Sequence, residues 1–245
     1  VKENKNMESR KFQAFELPQR KPTGLLVATM SPESVLHGDH PVTNAYVDLR
    51  TSEYKKRGYI PENLERDADK DDERSLHFLV MQGLGRKEAL ALATARLVYR
   101  DEKPLAIEEE FGEDFNGEIN QGATELSRFI RKNGMGLRAK KSIVNLIMYS
   151  ALIDRGTANG GKQCFAIVDD KFANILDGRS VPINRVTEPK KFEKYPLPQV
   201  GVEFNLSKLN EKSFTKTLGL KAIEVAYRGE DIKLFNTTFL GASLK

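Results

Sequence analysis

Glu125 and Arg128 stand in an otherwise apolar stretch, TELSRFI, and the run Arg131-Lys132-Asn133-Gly134-Met135-Gly136 follows at once. Opposite charges on a half-buried strand need either each other or a substrate, because a buried charge requires a partner. A carboxylate in such a place can serve as a general base, directly or through a water. The guanidinium forks of Arg50, Arg96 and Arg128 suit an acceptor carboxylate, and ion pairs with a nearby acidic loop suit them equally. The glycine run has a different chemistry. Its glycines let backbone N–H groups converge on phosphate oxygens, and a helix starting behind it adds its positive end. One difficulty is geometric: residues three apart on a regular strand face opposite sides of the sheet. A β-bulge between Glu125 and Arg128 would shift the phase by one residue and bring both to one face.

The elements that must position these residues can be read from the pattern. Residues 1–22 are polar and charged and form an expected N-terminal arm. GLLVATM is a first strand, closed by Ser31-Pro32. Residues 44–59 are a helix carrying Tyr46, Leu49 and Tyr54 and stopped by Lys55-Lys56-Arg57-Gly58. An acidic loop, 65–73, leads into two strands, SLHFLVM and ALALATARLVY, joined by the turn QGLGRKE. Residues 106–116 are a loop or short helix, and TELSRFI is the next strand. Residues 140–156 form a helix with a broad apolar stripe including Ile143, Leu146 and Ile147. CFAIV is a sheet-interior strand, DDKFANILDG a short helix, and VGVEFNL a strand with Val200, Val202, Phe204 and Leu206 on one side. IEVAY and IKLFNTTFL are two further strands without an assigned place. The order predicts an α/β sandwich of mixed strand direction, with a domain over 23–208 and a C-terminal extension over 209–245.

The composition is that of a folded protein: 39% hydrophobic and 30% charged residues over 245 positions. No apolar run reaches the ~18 residues that span a bilayer, and no signal peptide is read. Cys164 is the one cysteine, so no intramolecular disulfide forms; it lies in an apolar strand and is read as core packing. A reducing compartment, the cytoplasm, is expected. His37, His40 and His77 have no ligand spacing, so no metal is expected. A net charge of +4 and a pI near 9.0 favour anionic partners. No basic strand interleaved with aromatics and no recognition-helix motif points to nucleic acid.

The residues also carry a resemblance. Arg131-x-x-Gly134-x-Gly136 between a strand and a helix resembles the acyl-CoA pyrophosphate loop of the GNAT N-acyltransferase superfamily. Glu125-Leu126-Ser127-Arg128-Phe129 is similar to the E-x-S-R-F strand of the acyl-homoserine-lactone synthases and of the related long-chain N-acyl amino acid synthases. Ala95-Arg96-Leu97 looks like that family's strand arginine, and Leu49-Arg50 with Tyr54 like its N-terminal helix. Asp69 and Asp72 stand where the family keeps two aspartates three residues apart. The likeness covers roughly residues 40–205. The chain departs from the lactone synthases in lacking Trp, with Tyr59 in the comparable place, and its acidic loop is one residue off in spacing, which makes Asp71 an alternative. The lactone synthases also generally lack so regular a glycine loop. The resemblance therefore leans away from S-adenosylmethionine and toward the N-acyl amino acid synthase branch.

What the resemblance implies is a GNAT-type mixed, mostly antiparallel central sheet flanked by helices, a three-layer αβα sandwich. The implied activity moves a fatty acyl group from acyl-CoA, or from the phosphopantetheine arm of acyl carrier protein, to the amine of a small acceptor such as an amino acid. Glu125 is the candidate base, with Arg128 and Arg96 beside it; the alternative for Glu125 is an ion pair with one of those arginines. Arg131, Gly134, Met135, Gly136 and Arg138 are the implied co-substrate ligands. Arg50, Asp69 and Asp72 are the acceptor candidates, against a solvated charge run for the aspartates. Lys132, Lys140, Lys141, Lys190, Lys191 and Lys194 add a basic rim on which an acidic carrier protein would dock. Rival expectations are a small acetyl-CoA-dependent acetyltransferase and a non-catalytic acyl-binding or scaffold protein.

Overall fold

Phe78 and Val80 point one way along their strand and Leu79 and Met81 the other, and all four are buried. A strand apolar on both faces belongs inside a sheet covered on both sides, and the remaining elements supply the covers. The computed structural model describes residues 25–37, 40–83, 89–133, 163–178, 181–205, 220–228 and 232–239. They form β1 (Leu25–Met30), α1 (Pro32–His37), α2 (Pro41–Lys56), a 3-10 turn at Asp72–Arg74, β2 (Ser75–Gly83) and β3 (Ala89–Tyr99). Then come α3 (Ala106–Phe111), β4 (Thr124–Arg131), β5 (Cys164–Asp169), α4 (Asp170–Asp177), β6 (Ile183–Arg185), β7 (Gln199–Phe204), β8 (Leu220–Arg228) and β9 (Ile232–Phe239).

The nine strands make one sheet in the order β6-β7-β5-β4-β3-β2-β1-β9-β8. β4 and β5 run parallel and every other neighbouring pair is antiparallel. One face packs Phe78, Val80, Leu97, Leu126, Ala166, Val200 and Val202 against Ala173 and Leu176 of α4. On the opposite face α1 and α2 cover Leu79 and Met81, and α3 covers Val98 and Phe165. The result is the mixed, mostly antiparallel three-layer sandwich implied by the sequence.

Differences from the expected elements have local causes. α2 starts at Pro41, earlier than the periodicity shows, because His40 Nδ1 caps it by accepting from Val42 N–H at 3.2 Å and proline suits the first turn. Its expected stop holds: Gly58 adopts φ 69° just past the last turn. The acidic segment 106–116 is a helix followed by a 3-10 turn, and Glu108 starts the helix by accepting from the Leu105 N–H at 2.8 Å. β6 is too short to show a period. The two unplaced C-terminal strands join the same sheet, β9 pairing with β1 from Leu25 to Met30. The expected N-terminal arm over 1–22 and the expected helix over 140–156 lie outside the described residues. Among the described residues no helix is long and apolar enough to cross a membrane.

β9 shields an edge that would otherwise expose unpaired N–H and C=O groups along all of β1. A chain ending at Asn205 is therefore expected to self-associate with rising concentration in light scattering, relative to the full chain. An unchanged molar mass would show that this edge needs no cover.

Candidate active site

Between β3 and β4, Thr94 faces Ile130 and Arg96 faces Ser127. Two steps on β3 thus match three on β4, so β4 bulges, and Arg128 within the bulge adopts φ 52°, the left-handed region that a side chain with a Cβ rarely enters. The phase shift turns Arg128 onto the face that carries Glu125. There its guanidinium pairs with Asp69 and lies 4.9 Å from the centre of the Tyr54 ring. β4 also leaves β5 at this point. The two strands pair only at Thr124↔Cys164 and Glu125↔Phe165, although β5 continues to Asp169 alongside β7. Glu125 sits where the strands part.

Glu125 is 2% exposed. Its Oε2 accepts from the Ile107 N–H of α3 at 2.8 Å. Burial pushes its carboxyl up to about 7, against the pull of that hydrogen bond and of Arg96. Among the described residues no ammonium or guanidinium lies within ion-pair distance of it, so the alternative of an ion pair with Arg96 or Arg128 is not what the structure contains. Nearby, burial pushes the Tyr195 hydroxyl up to about 12, with Glu110, Tyr54 and Glu125 adding to the rise. The loop bearing Tyr195 is tied down by Lys190 on Asp114 at 2.7 Å, by Lys194 on Glu110, and by Phe192 edge-on to Phe111 at 5.3 Å. Lys191 donates to the carbonyls of Tyr195 and Pro196. These three lysines, expected in a docking rim, are occupied in holding this loop.

The acidic loop is not a solvated charge run: Asp67, Asp71 and Asp72 are buried. Arg50 donates to Asp67 at 2.5 Å and forks onto both oxygens of Asp72 at 2.8 and 3.1 Å. Arg96 bridges Asp69 at 2.5 Å and Asp72 at 2.8 Å, and also donates to Ser127 Oγ at 3.2 Å. Burial alone would raise both aspartates, but Arg50 and Arg96 hold Asp72 down, and Arg96 and Arg128 hold Asp69 well below the usual carboxylate range. His77 closes the cluster beneath. A carbonyl only accepts, so Nε2 donates to Asp72 O at 3.2 Å and Nδ1 accepts from the Tyr46 hydroxyl at 3.0 Å. Burial lowers His77 to about 4 and keeps it neutral.

Of the sequence candidates, Arg50, Asp69, Asp72, Arg96 and Arg128 thus meet in one network. Arg50, expected to touch the acceptor, is instead fully buried with its donors taken by carboxylates, and holds the loop in place. Asp69 and Arg128 are the most open members, at 27% and 25% side-chain exposure. Gly134, Met135, Gly136 and Arg138 lie outside the described residues; Arg131 ends β4, half-buried and opposite Ala93. The sequence reading missed Ile107, which acts through its backbone and so leaves no side-chain signal. It also missed Tyr195 and the Tyr46–His77 pair; Tyr46 and Arg50, one helical turn apart, were the signal available for the latter.

No family model and no curated protein matches the sequence. Solved structures do. The CoA-dependent acyl-homoserine lactone synthase BjaI, with MTA, superposes with a TM-score of 0.63 at 16% identity, over 81% of this chain and 92% of that one. The synthase LasI gives 0.61 at 17%, over 80% and 95%. Escherichia coli ElaA gives 0.51 at 16%, over 73% and 97%. The fold is GNAT-type and acyl-homoserine-lactone-synthase-like. In this synthase-like fold the arginine–aspartate network lies on the α2 face of β3 and β4, and Glu125 lies under α3 at the parting of β4 and β5.

Two stability outcomes follow from the charges. Asp72→Asn weakens the anchoring of two buried guanidinium groups and should cost about 3–5 kcal/mol in urea denaturation, with Asp69→Asn costing less because its carboxylate is partly solvated. For Glu125 the sign is opposite. A carboxyl raised to about 7 in the fold favours the protonated form, so its stabilisation is complete below the unfolded value near 4.5 and is lost as pH rises through 7. Glu125→Gln, always neutral, should therefore gain on the wild type between pH 5 and pH 8, by up to about 3 kcal/mol. An equal stability difference at both pH values would contradict this.

Proposed function

We propose that the chain is a cytoplasmic N-acyltransferase. It moves a fatty acyl group from an acyl-CoA or acyl-phosphopantetheine thioester, the latter on acyl carrier protein, to the amine of an amino acid. The observation that carries this reading is Glu125: a buried carboxyl near neutrality, without an ion-pair partner among the described residues, placed where β4 and β5 part. A base poised near the working pH is what deprotonation of an ammonium group requires. The amine nitrogen attacks the thioester carbonyl, its proton passes to Glu125, the C–N bond forms as the C–S bond breaks, and the thiolate leaves to be protonated. The backbone freed by the parting of the strands receives the thioester.

Asp69 and Arg128 are the acceptor's partners. Side by side and partly open, they present an anion and a cation, the complement of an amino acid's ammonium and carboxylate. Arg96 and Arg50 act behind them by fixing Asp69 and Asp72. Arg131, Gly134, Met135, Gly136 and Arg138 take the donor's phosphates, and the fold likeness to a CoA-dependent synthase favours CoA as their source.

Free-thiol release should be followed with short- and long-chain acyl-CoA and acyl-carrier donors, against pooled amino acids and against S-adenosylmethionine. The expected result is long-chain, amino-acid-dependent release, an N-acyl amino acid in the mass spectrum, and a loss of at least 100-fold in Glu125→Gln, in keeping with the typical worth of general-base catalysis, roughly 10²–10⁴-fold. Donor binding without acceptor-dependent turnover would refute catalysis on these substrates.

A further inference from the structure

Glu125 owes its one described hydrogen bond to the backbone of Ile107, so whatever sets the distance of α3 from the sheet also sets that bond. The contact that sets it lies on β7. Gly201 faces α3 from its strand, opposite Ile167. A Cβ built there would meet Ile107 Cδ1 at 2.8 Å and Thr187 Cγ2 at 2.9 Å. Both are closer than real Cβ atoms approach, and both neighbours are buried. Thr187 cannot readily withdraw, because its Oγ1 accepts from the Gly201 N–H at 2.7 Å and the next residue back, Val186, donates to Gly201 O at 2.9 Å. Ile107 is therefore the neighbour that must move, and because its Cγ1 is also tight at 3.3 Å, turning Cδ1 aside gives only part of the room. Its helix carries the Glu125 donor.

We propose that Gly201 is a positioning residue for Glu125: the absence of a side chain lets α3 seat closely enough on β7 for the Ile107 N–H to reach the carboxylate. The other charged and titratable groups about Glu125 are Arg96 from β3, Asp71 and Arg74 from the 3-10 turn and Tyr195 from the loop over α3. Glu108 and Glu110 of α3 are paired with Arg100 and Lys194. A Cβ at Gly201 would meet atoms of Ile107 and Thr187, not of these groups. The consequence for catalysis rests on Glu125 being the base; the positioning itself does not.

The test reads Glu125 directly, by ¹³C NMR titration of its side-chain carboxyl, assigned by the signal lost in Glu125→Gln. Gly201→Ala should lengthen the hydrogen bond and move the titration midpoint upward by about one pH unit, since a hydrogen bond to a charged group is worth roughly 1.5–3 kcal/mol and one unit about 1.4. Adding Ile107→Val and Thr187→Ser removes the two atoms in the way and keeps the Thr187 hydroxyl bond, and should restore the wild-type midpoint. A folded Gly201→Ala protein with an unmoved midpoint overturns the proposal. If Gly201→Ala does not fold, the triple variant decides: folding with the wild-type midpoint supports the proposal, and failure to fold, or a displaced midpoint, overturns it. The readout needs no turnover, so it stands whether or not the acyltransferase reading survives.

Discussion

One extra residue in β4 is the constraint on which the site depends. Without the bulge, Glu125 and Arg128 would project to opposite sides of the sheet, one toward α3 and the other toward the α4 layer. With it, both project to the face that carries α2, α3 and the acidic loop. The cost is an arginine at positive φ, of order 1 kcal/mol or more, stable only where its surroundings hold it. Asp69 and the ring of Tyr54 do so. Just before the bulge, after Glu125, the pairing of β4 with β5 ends, so the aligned charges lie beside the place where the sheet opens.

The charges around this irregularity divide into two kinds. Arg50, Arg96, Asp67 and Asp72 are buried and mutually saturated, an arrangement whose Coulomb gain is largely offset by desolvation but which is costly to break. They give the acidic loop one conformation, with neutral His77 packed below. Glu125 is treated differently: it is buried with one N–H donor and, among the described residues, no cation within ion-pair distance, so burial rather than pairing sets its proton affinity. Asp69 and Arg128, paired with each other, are the partly open end of this network.

Much of this was legible in the sequence. The strand pattern located β2, β3, β4 and β5 to within a few residues, because a two-residue alternation or a continuous apolar run leaves few other options. The three-residue spacing of Glu125 and Arg128 required a bulge in order for the two to cooperate, and the bulge is there. Ion pairs of the arginines with the acidic loop were one of two equal readings, and they are what forms. The solvated alternative for Asp69 and Asp72 fails, because Arg50 and Arg96 lie about twenty residues or more away along the chain and no local pattern shows that they return to the loop. Pairing of β9 with β1 spans nearly the whole chain, and no local pattern encodes it. Ile107 and Gly201 act through a backbone amide and a missing side chain, which composition and periodicity do not register.

The proposed function rests on Glu125, a carboxyl held near neutrality by burial, acting as the base for acyl transfer. The most direct measurement is the pH dependence of acceptor-dependent turnover at saturating donor. The expected result is an acidic limb with a midpoint near 7, absent from the residual rate of Glu125→Gln. A rate that stays level from pH 5 to 8, or a limb unchanged in Glu125→Gln, would contradict it.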